Sequence, residues 1–251
     1  MCRHIAYVGP SVALGEVLSS PSHGLVRQSW EPRRQRSGTV NADGFGVGWY
    51  ADGDPAPGRY RRAGPVWGDE TFADLTRVVR STALLAAVRD ATFAGADGEA
   101  AAAPFADGRL LFSHNGAVRG WPGSLASLAG ELPPERLLAL AARSDSALIW
   151  ALVLHRVGQG DETARAIVDT VRDIGSAAPG SRLNLLLTDG SRIVATTWGD
   201  SLWYLHEAGR RTVVASEPYD EDPHWREVAD RTLLTATRDD VLLTPLKEPT
   251  A

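Results

Sequence analysis

Short strand signals, then a helical stretch, then short strand signals again is the order that most narrows the fold of this 251-residue chain. A parallel sheet needs a crossover helix between successive strands. Little alternation of that kind is present, so the order points to antiparallel sheets covered by helices. Ile5 to Val8 reads as a strand almost at the terminus, and Gly44 to Tyr50 alternates glycine with Phe45, Val47 and Trp49. That alternation leaves one strand face bare, so another backbone or a ligand can approach closely.

Between these strands, residues 20–43 read as a long loop rich in Ser, Pro, Gly and Arg. Asp54 to Gly58 form a turn, and Tyr60 to Val66 complete a hairpin. Asp69 to Arg80 is predicted to be a helix, with Phe72, Leu75, Val78 and Val79 along one side. Leu84 to Arg89 reads as a buried strand and 94–108 as a small-residue loop. Leu110 to Ser113 reads as a strand closing on the turn His114-Asn115-Gly116. Helices are expected at Glu135 to Ala142, Asp145 to Val157 and Glu162 to Ile174, and strands at Leu183–Thr188, Ile193–Thr197, Leu202–Leu205, Thr212–Ala215 and Val241–Thr244. Asp189-Gly190 is a strong hairpin signal between the first two of those strands. With no repeat and no linker, one domain over residues 1–251 is expected.

Charge and cysteine usage exclude several functions. A net charge of −5 gives no general attraction to nucleic acid or to an acidic membrane. No apolar run approaches the roughly 20 residues that span a bilayer, and the start lacks the pattern of a signal peptide, so a cytoplasmic protein is expected. One cysteine permits neither an intrachain disulfide nor a cysteine metal cluster. The histidines are scattered, without zinc-ligand spacing.

That single cysteine is Cys2, and it has two readings. Cysteine is a common buried residue. Alternatively, removal of Met1 leaves Cys2 with a free α-amine, whose ordinary pKa of about 7.7–8 suits it to act as base for its own thiol. Attack on an amide then gives a thioester that water releases. Such a nucleophile needs an oxyanion hole, and Asn115 with the Gly116 N–H offers one, although His-Asn-Gly is also a common turn. Arg89 can bind a carboxylate in bidentate fashion, with Thr92 adding a hydroxyl donor. Asp145 either binds an ammonium group or caps a helix.

Taken together these segments resemble the class II glutamine amidotransferase domains of the N-terminal-nucleophile hydrolase superfamily. The likeness is carried by Met1-Cys2, Asn41-Ala42-Asp43-Gly44-Phe45-Gly46-Val47-Gly48-Trp49-Tyr50, Ala87-Val88-Arg89-Asp90-Ala91-Thr92, His114-Asn115-Gly116 and Ser144-Asp145-Ser146. It implies an α+β fold, a four-layer αββα sandwich of two antiparallel sheets. It also implies Cys2 as nucleophile and base, Asn115 and Gly116 as oxyanion hole, Arg89 and Thr92 on the α-carboxylate of a γ-glutamyl group, and Asp145 on its α-ammonium. Two departures, Ala87 where the family often has His and Ala147 where it often has Glu, weaken subfamily assignment more than mechanism.

Within the family, Met1-Cys2-Arg3-His4, Pro32-Arg33-Arg34-Gln35-Arg36, Ala215-Ser216-Glu217-Pro218-Tyr219-Asp220 and the chain length look similar to the ergothioneine-pathway γ-glutamyl amidohydrolases. This implies a small-molecule substrate, γ-glutamyl-hercynylcysteine sulfoxide, and no metal or organic cofactor. One or more of Trp30, Trp49, Trp67 and Tyr50 is expected either to wall the substrate's trimethylammonium group or simply to pack in a core. Arg33, Arg34 and Arg36 read as a solvated patch or as a lid over the substrate. The rival functions are a glutaminase subunit feeding a separate synthase and a non-catalytic γ-glutamyl binder.

Overall fold

Strand β1 (Arg3–Ala13) is buried on both faces over its first half: Ile5 and Tyr7 enter one core while Ala6 and Val8 enter another. Side chains alternate across a strand, so β1 divides two apolar layers, and the rest of the molecule is built outward from it. The computed structural model describes residues 2–35, 38, 40–91 and 98–246.

After β1 come helices α1 (Leu14–Leu18) and α2 (Leu25–Gln28), strands β2 (Gly44–Trp49) and β3 (Gly58–Arg62), helix α3 (Glu70–Val78) and strand β4 (Arg80–Arg89). Strands β5 (Phe105–Asp107) and β6 (Leu110–Ala117) precede helices α4 (Ala126–Gly130), α5 (Pro134–Leu138), α6 (Asp145–Gly158) and α7 (Thr163–Ala177). The chain ends in β7 (Arg182–Thr188), β8 (Ile193–Thr197), β9 (Trp203–Glu207), β10 (Arg211–Ala215), β11 (Arg226–Glu227), β12 (Thr232–Ala236) and β13 (Val241–Pro245).

Two antiparallel sheets result, one in the order β11-β9-β10-β1-β4-β2-β3 and one in the order β13-β12-β8-β7-β6-β5. The first packs its outer face, through Ile5, Phe45, Leu84 and Val213, on Leu14, Val17, Leu25 and Phe72 of α1–α3. The second packs Phe112, Leu183, Leu185 and Leu187 on Ile149, Ile167 and Val171 of α6 and α7. The inner faces meet through Val8, Leu85, Leu111, Leu186 and Val214. The molecule is therefore an α+β four-layer αββα sandwich. Among the described residues no helix is long and apolar enough to cross a membrane.

The helix starts follow local capping. Asp69 accepts from the Phe72 N–H at 2.7 Å at the head of α3, and Ser144 accepts from the Ala147 N–H at 3.2 Å at the head of α6. The Asp189-Gly190 turn joins β7 to β8 as expected, with Asp189 Oδ1 accepting from the N–H groups of Ser191 and Arg192, both at 2.8 Å.

Three expectations need correction. Residues 114–116 are not a turn: β6 continues through them, His114, Asn115 and Gly116 pairing with Leu185, Asn184 and Leu183. Residues 20–43 are not wholly loop, since α2 lies within them. Residues 94–108 are not wholly loop either, since β5 lies within them; β5, β11 and β12 carry too little apolar alternation to be read from sequence.

The bare face of β2 is filled by backbone. A Cβ built on Gly46 would lie 2.5 Å from the Ala103 carbonyl oxygen, well inside van der Waals contact. Glycine is required there because residues 102–104 lie flat on the strand, and that segment forms part of the site described next.

Candidate active site

Cys2 immediately precedes β1, the central strand of the larger sheet. Its alternation with His4, Ala6 and Val8 directs it to the inner face. The β1–β4 register pairs Arg3 with Val88 and His4 with Ala87, and the β2–β4 register pairs Arg89 with Gly44. Cys2 and Arg89 thus share one face and one end of the sheet. From the opposite sheet, Leu111, Ser113 and Asn115 of β6 face the same space.

These groups border a narrow cleft whose walls include Cys2, Arg89, Ala103, Phe105, His114 and Ser146. At about 20 Å³ it admits little more than a water molecule. Cys2 is half-buried. Burial pushes its thiol above the ordinary range; a hydrogen bond from the Asp90 backbone and the Arg89 guanidinium oppose that, and the Asp145 carboxylate adds to it. The resting sulfur is therefore a protonated thiol that needs a base.

His4 is not that base. Burial, with His114 and Arg3 nearby, holds its imidazole down to about 3. Its backbone N–H donates to Ser216 Oγ at 3.0 Å, and its Nδ1 lies 3.3 Å from Ser113 Oγ. His114 is committed elsewhere: Nε2 is 3.0 Å from the Arg182 carbonyl oxygen, which only accepts, so Nε2 carries the proton. Its Nδ1 is then the acceptor for Ser146 Oγ at 3.0 Å. Both histidines hold neighbouring elements in place.

Asn115 is fully buried. Its Nδ2 donates to Ser216 Oγ at 3.4 Å, near the outer limit of a hydrogen bond, and its Oδ1 has no partner among the described residues. Gly116 follows where β7 comes closest: a Cβ would lie 2.0 Å from the Arg182 carbonyl oxygen. Asp145 is the first residue of α6, and Ser144 takes the capping role. Its carboxylate accepts from the Val118 N–H at 3.0 Å and the Ser146 N–H at 2.7 Å. Arg89 Nη1 donates to the Asp43 carbonyl at 3.2 Å, and the Asp43 carboxylate accepts from the Ala91 N–H at 2.7 Å.

Cys2, Arg89, Asn115, Gly116 and Asp145 thus converge on one end of the sandwich. Thr92 lies outside the described residues. Trp49 does not join them. It alternates with Gly48 onto the outer face of the sheet, at the far end of β2 from Gly44, about 16 Å away at roughly 3.3 Å per residue. Tyr50 is also remote, its hydroxyl donating to the Arg109 and Thr188 carbonyls. Trp30 and Trp67 form an exposed edge-on pair, ring centroids 5.8 Å apart.

Some supporting residues lie within motifs legible in the sequence, which assigns them no role. Ser216 bridges β1 and β6, and Asp43 braces Arg89. Glu217 is fully buried and accepts from the backbone N–H groups of Arg33 at 3.0 Å and Arg34 at 2.6 Å. Arg33 also pairs with Glu221 at 2.6 Å, and Arg34 lies 5.3 Å from the centroid of the Trp203 ring. These two arginines are solvent-exposed, as a surface patch would be, but their backbone is anchored by Glu217; Arg36 lies outside the described residues.

The chain is similar to known proteins along its length. The sequence profile of the class-II glutamine amidotransferases matches residues 23–211. The gamma-glutamyl-hercynylcysteine sulfoxide hydrolase of Mycolicibacterium smegmatis is 42% identical, over 98% of this chain and 100% of its own length. The protein of the same name from Mycobacterium tuberculosis is 41% identical, over 98% of this chain and 97% of its own. A glutamine aminotransferase class-II domain protein from Silicibacter pomeroyi has a solved structure that superposes with a TM-score of 0.69 at 25% identity, covering 98% of this chain and 100% of that one.

Proposed function

Since the chain belongs to the class-II glutamine amidotransferase family, we propose that it hydrolyses the γ-glutamyl amide of γ-glutamyl-hercynylcysteine sulfoxide, releasing glutamate and hercynylcysteine sulfoxide. The observation that carries this reading is the end-to-end identity of 42% with a hydrolase of that name. It is supported by a cysteine held at the inner edge of a sandwich beside a guanidinium and a carboxylate, the pair that suits an amino acid's own two charges.

In the proposed mechanism Met1 is removed and the α-amine of Cys2 takes the proton of its own thiol. The sulfur attacks the γ-carbonyl carbon, and the resulting oxyanion receives the Asn115 Nδ2–H and the Gly116 N–H. The 3.4 Å bond to Ser216 is weak enough for Asn115 to hand its N–H over at little cost. Collapse breaks the C–N bond, with the proton passing from the α-ammonium to the leaving amine. Water then attacks the γ-glutamyl thioester, regenerating the thiol and releasing glutamate. Arg89, and Thr92 with it, hold the α-carboxylate, and Asp145 the α-ammonium. The reaction suits the cytoplasm, where a lone thiol stays reduced.

The test is turnover of synthetic γ-glutamyl-hercynylcysteine sulfoxide, followed by release of glutamate. Equimolar glutamate and amine product are expected, with glutamine used far less efficiently and Cys2→Ala inactive. Efficient use of glutamine alone, or full activity in Cys2→Ala, would overturn the proposal.

A further inference from the structure

A second cavity, of about 300 Å³, opens where β3, the edge of one sheet, faces β5, the edge of the other. That is the size of a small-ligand pocket. It meets the Cys2 cleft at Phe105, which walls both. Helix α6 runs past the two in turn: Ser146 lines the cleft, while Ala147, Trp150, Ala151 and Leu154 line the cavity at the spacing of one helix face.

Three arginines, Arg59, Arg61 and Arg136, line this cavity against a single acidic residue, Asp107. The strand registers place Arg61 opposite Gly46, and Gly46 opposite Ala87, a wall of the Cys2 cleft. At roughly 4.8 Å per strand, Arg61 stands about 10 Å from Ala87, the reach of an amino-acid-sized leaving group. Arg59 and Arg61 each donate to backbone carbonyls, of Pro104 at 3.3 Å and Ala102 at 3.2 Å. Among the described residues none of the three arginines lies within ion-pair distance of a carboxylate; Glu99, which acts on Arg61 at longer range, is paired with Arg62 at 2.9 Å. Burial and the neighbouring Arg59 hold the Arg61 guanidinium below its ordinary range, against the pull of Glu99, and an anion here would offset the repulsion from Arg59.

We propose that this cavity is the subsite for the amine side of the substrate, and that Arg59, Arg61 and Arg136 select γ-glutamyl amides whose leaving amine carries carboxylate. The apolar wall of Trp150 and Phe105 takes the ring and methylenes between the charges. This deepens the function proposed above and rests on it. The leaving amine of γ-glutamyl-hercynylcysteine sulfoxide fits the chemistry, being both carboxylated and built around an imidazole ring.

The experiment compares that substrate with a γ-glutamyl amide of similar length whose amine side bears no carboxylate, in wild type, Arg136→Ala and Arg59→Gln. Arg136 lies on α5 and lines the cavity, and melting temperature checks that both variants still fold. The wild type is expected to prefer the carboxylated amide at least tenfold. Each variant is expected to raise KM for that amide about tenfold or more, as losing a charged hydrogen bond does, and to leave the carboxylate-free amide unchanged. Equal slowing of both amides, or of neither, overturns the subsite. A wild type that hydrolyses neither amide instead overturns the function on which it rests.

Discussion

The Val118 backbone N–H donates to Asp145 Oδ2 at 3.0 Å, fixing the head of α6 to the chain just beyond β6. That contact sets the acidic group beside the strand carrying Asn115 and Gly116, so one side chain both joins two layers and charges the site. Asp145→Asn keeps one acceptor oxygen but removes the charge. It is expected to lower kcat/KM at least tenfold, mostly through KM, with the protein still folded. Asp145→Ala leaves buried N–H groups unpaired and is expected to cost about 1–3 kcal/mol of stability as well. Steady-state kinetics beside denaturant unfolding separate the two effects.

Glu217 holds the loop that follows α2 through the N–H groups of Arg33 and Arg34. It is also the first opposing charge felt by Arg3, a fully buried guanidinium adjacent to the nucleophile. Glu217→Ala strands two donors and removes that charge, so a loss of about 3 kcal/mol or more is expected. Faster hydrogen exchange at the Arg33 and Arg34 amides would be its local signature, and unchanged exchange would contradict the anchoring role.

Close packing of residues 102–104 on β2 makes a steric prediction. Gly46→Ala must displace the Ala103 carbonyl, 2.5 Å from the new Cβ, and overpacking of this kind costs about 1–3 kcal/mol. Gly68→Ala meets nothing within 4 Å and serves as the control, expected within about 0.5 kcal/mol of wild type. Ala103 also walls the Cys2 cleft, so Gly46→Ala is expected to reduce turnover too.

His4 gives stability a pH dependence of known sign. Its pKa is about 3 folded, against an ordinary 6.5. Between those values the unfolded chain binds the extra proton, so the full contribution is present above about pH 6.5 and is lost as pH falls. The slope is at most about 1.4 kcal/mol per pH unit. His4→Gln is expected to flatten unfolding free energy between pH 6 and 4.5; a slope identical to wild type would contradict the assignment.

Much of this arrangement was legible in the sequence because it depends on local alternation. Phe45, Val47 and Trp49 between glycines gave β2, and Asp189-Gly190 gave the β7–β8 hairpin. Cys2, Arg89, Asn115 and Asp145 were legible as motifs; strand registers align Cys2 with Arg89, while the facing sheet and α6 bring in Asn115 and Asp145. The errors came from tertiary context. His114-Asn115-Gly116 has turn composition, yet β7 supplies a partner and extends the strand through it. The sequence leaves Trp49 open between substrate wall and core because alternation gives a face without saying which face carries the nucleophile; it packs on the outer core. The short strands β5 and β11 are held by neighbours rather than by their own propensity.

The most direct test of the account is the intact mass of the native protein before and after treatment with a glutamine-like diazo-oxo electrophile. A chain lacking Met1 is expected, gaining one adduct that maps to Cys2, with activity lost in proportion to labelling. A retained Met1 in fully active protein, or complete inactivation with Cys2 unlabelled, would contradict a mechanism built on the terminal thiol and its own amine.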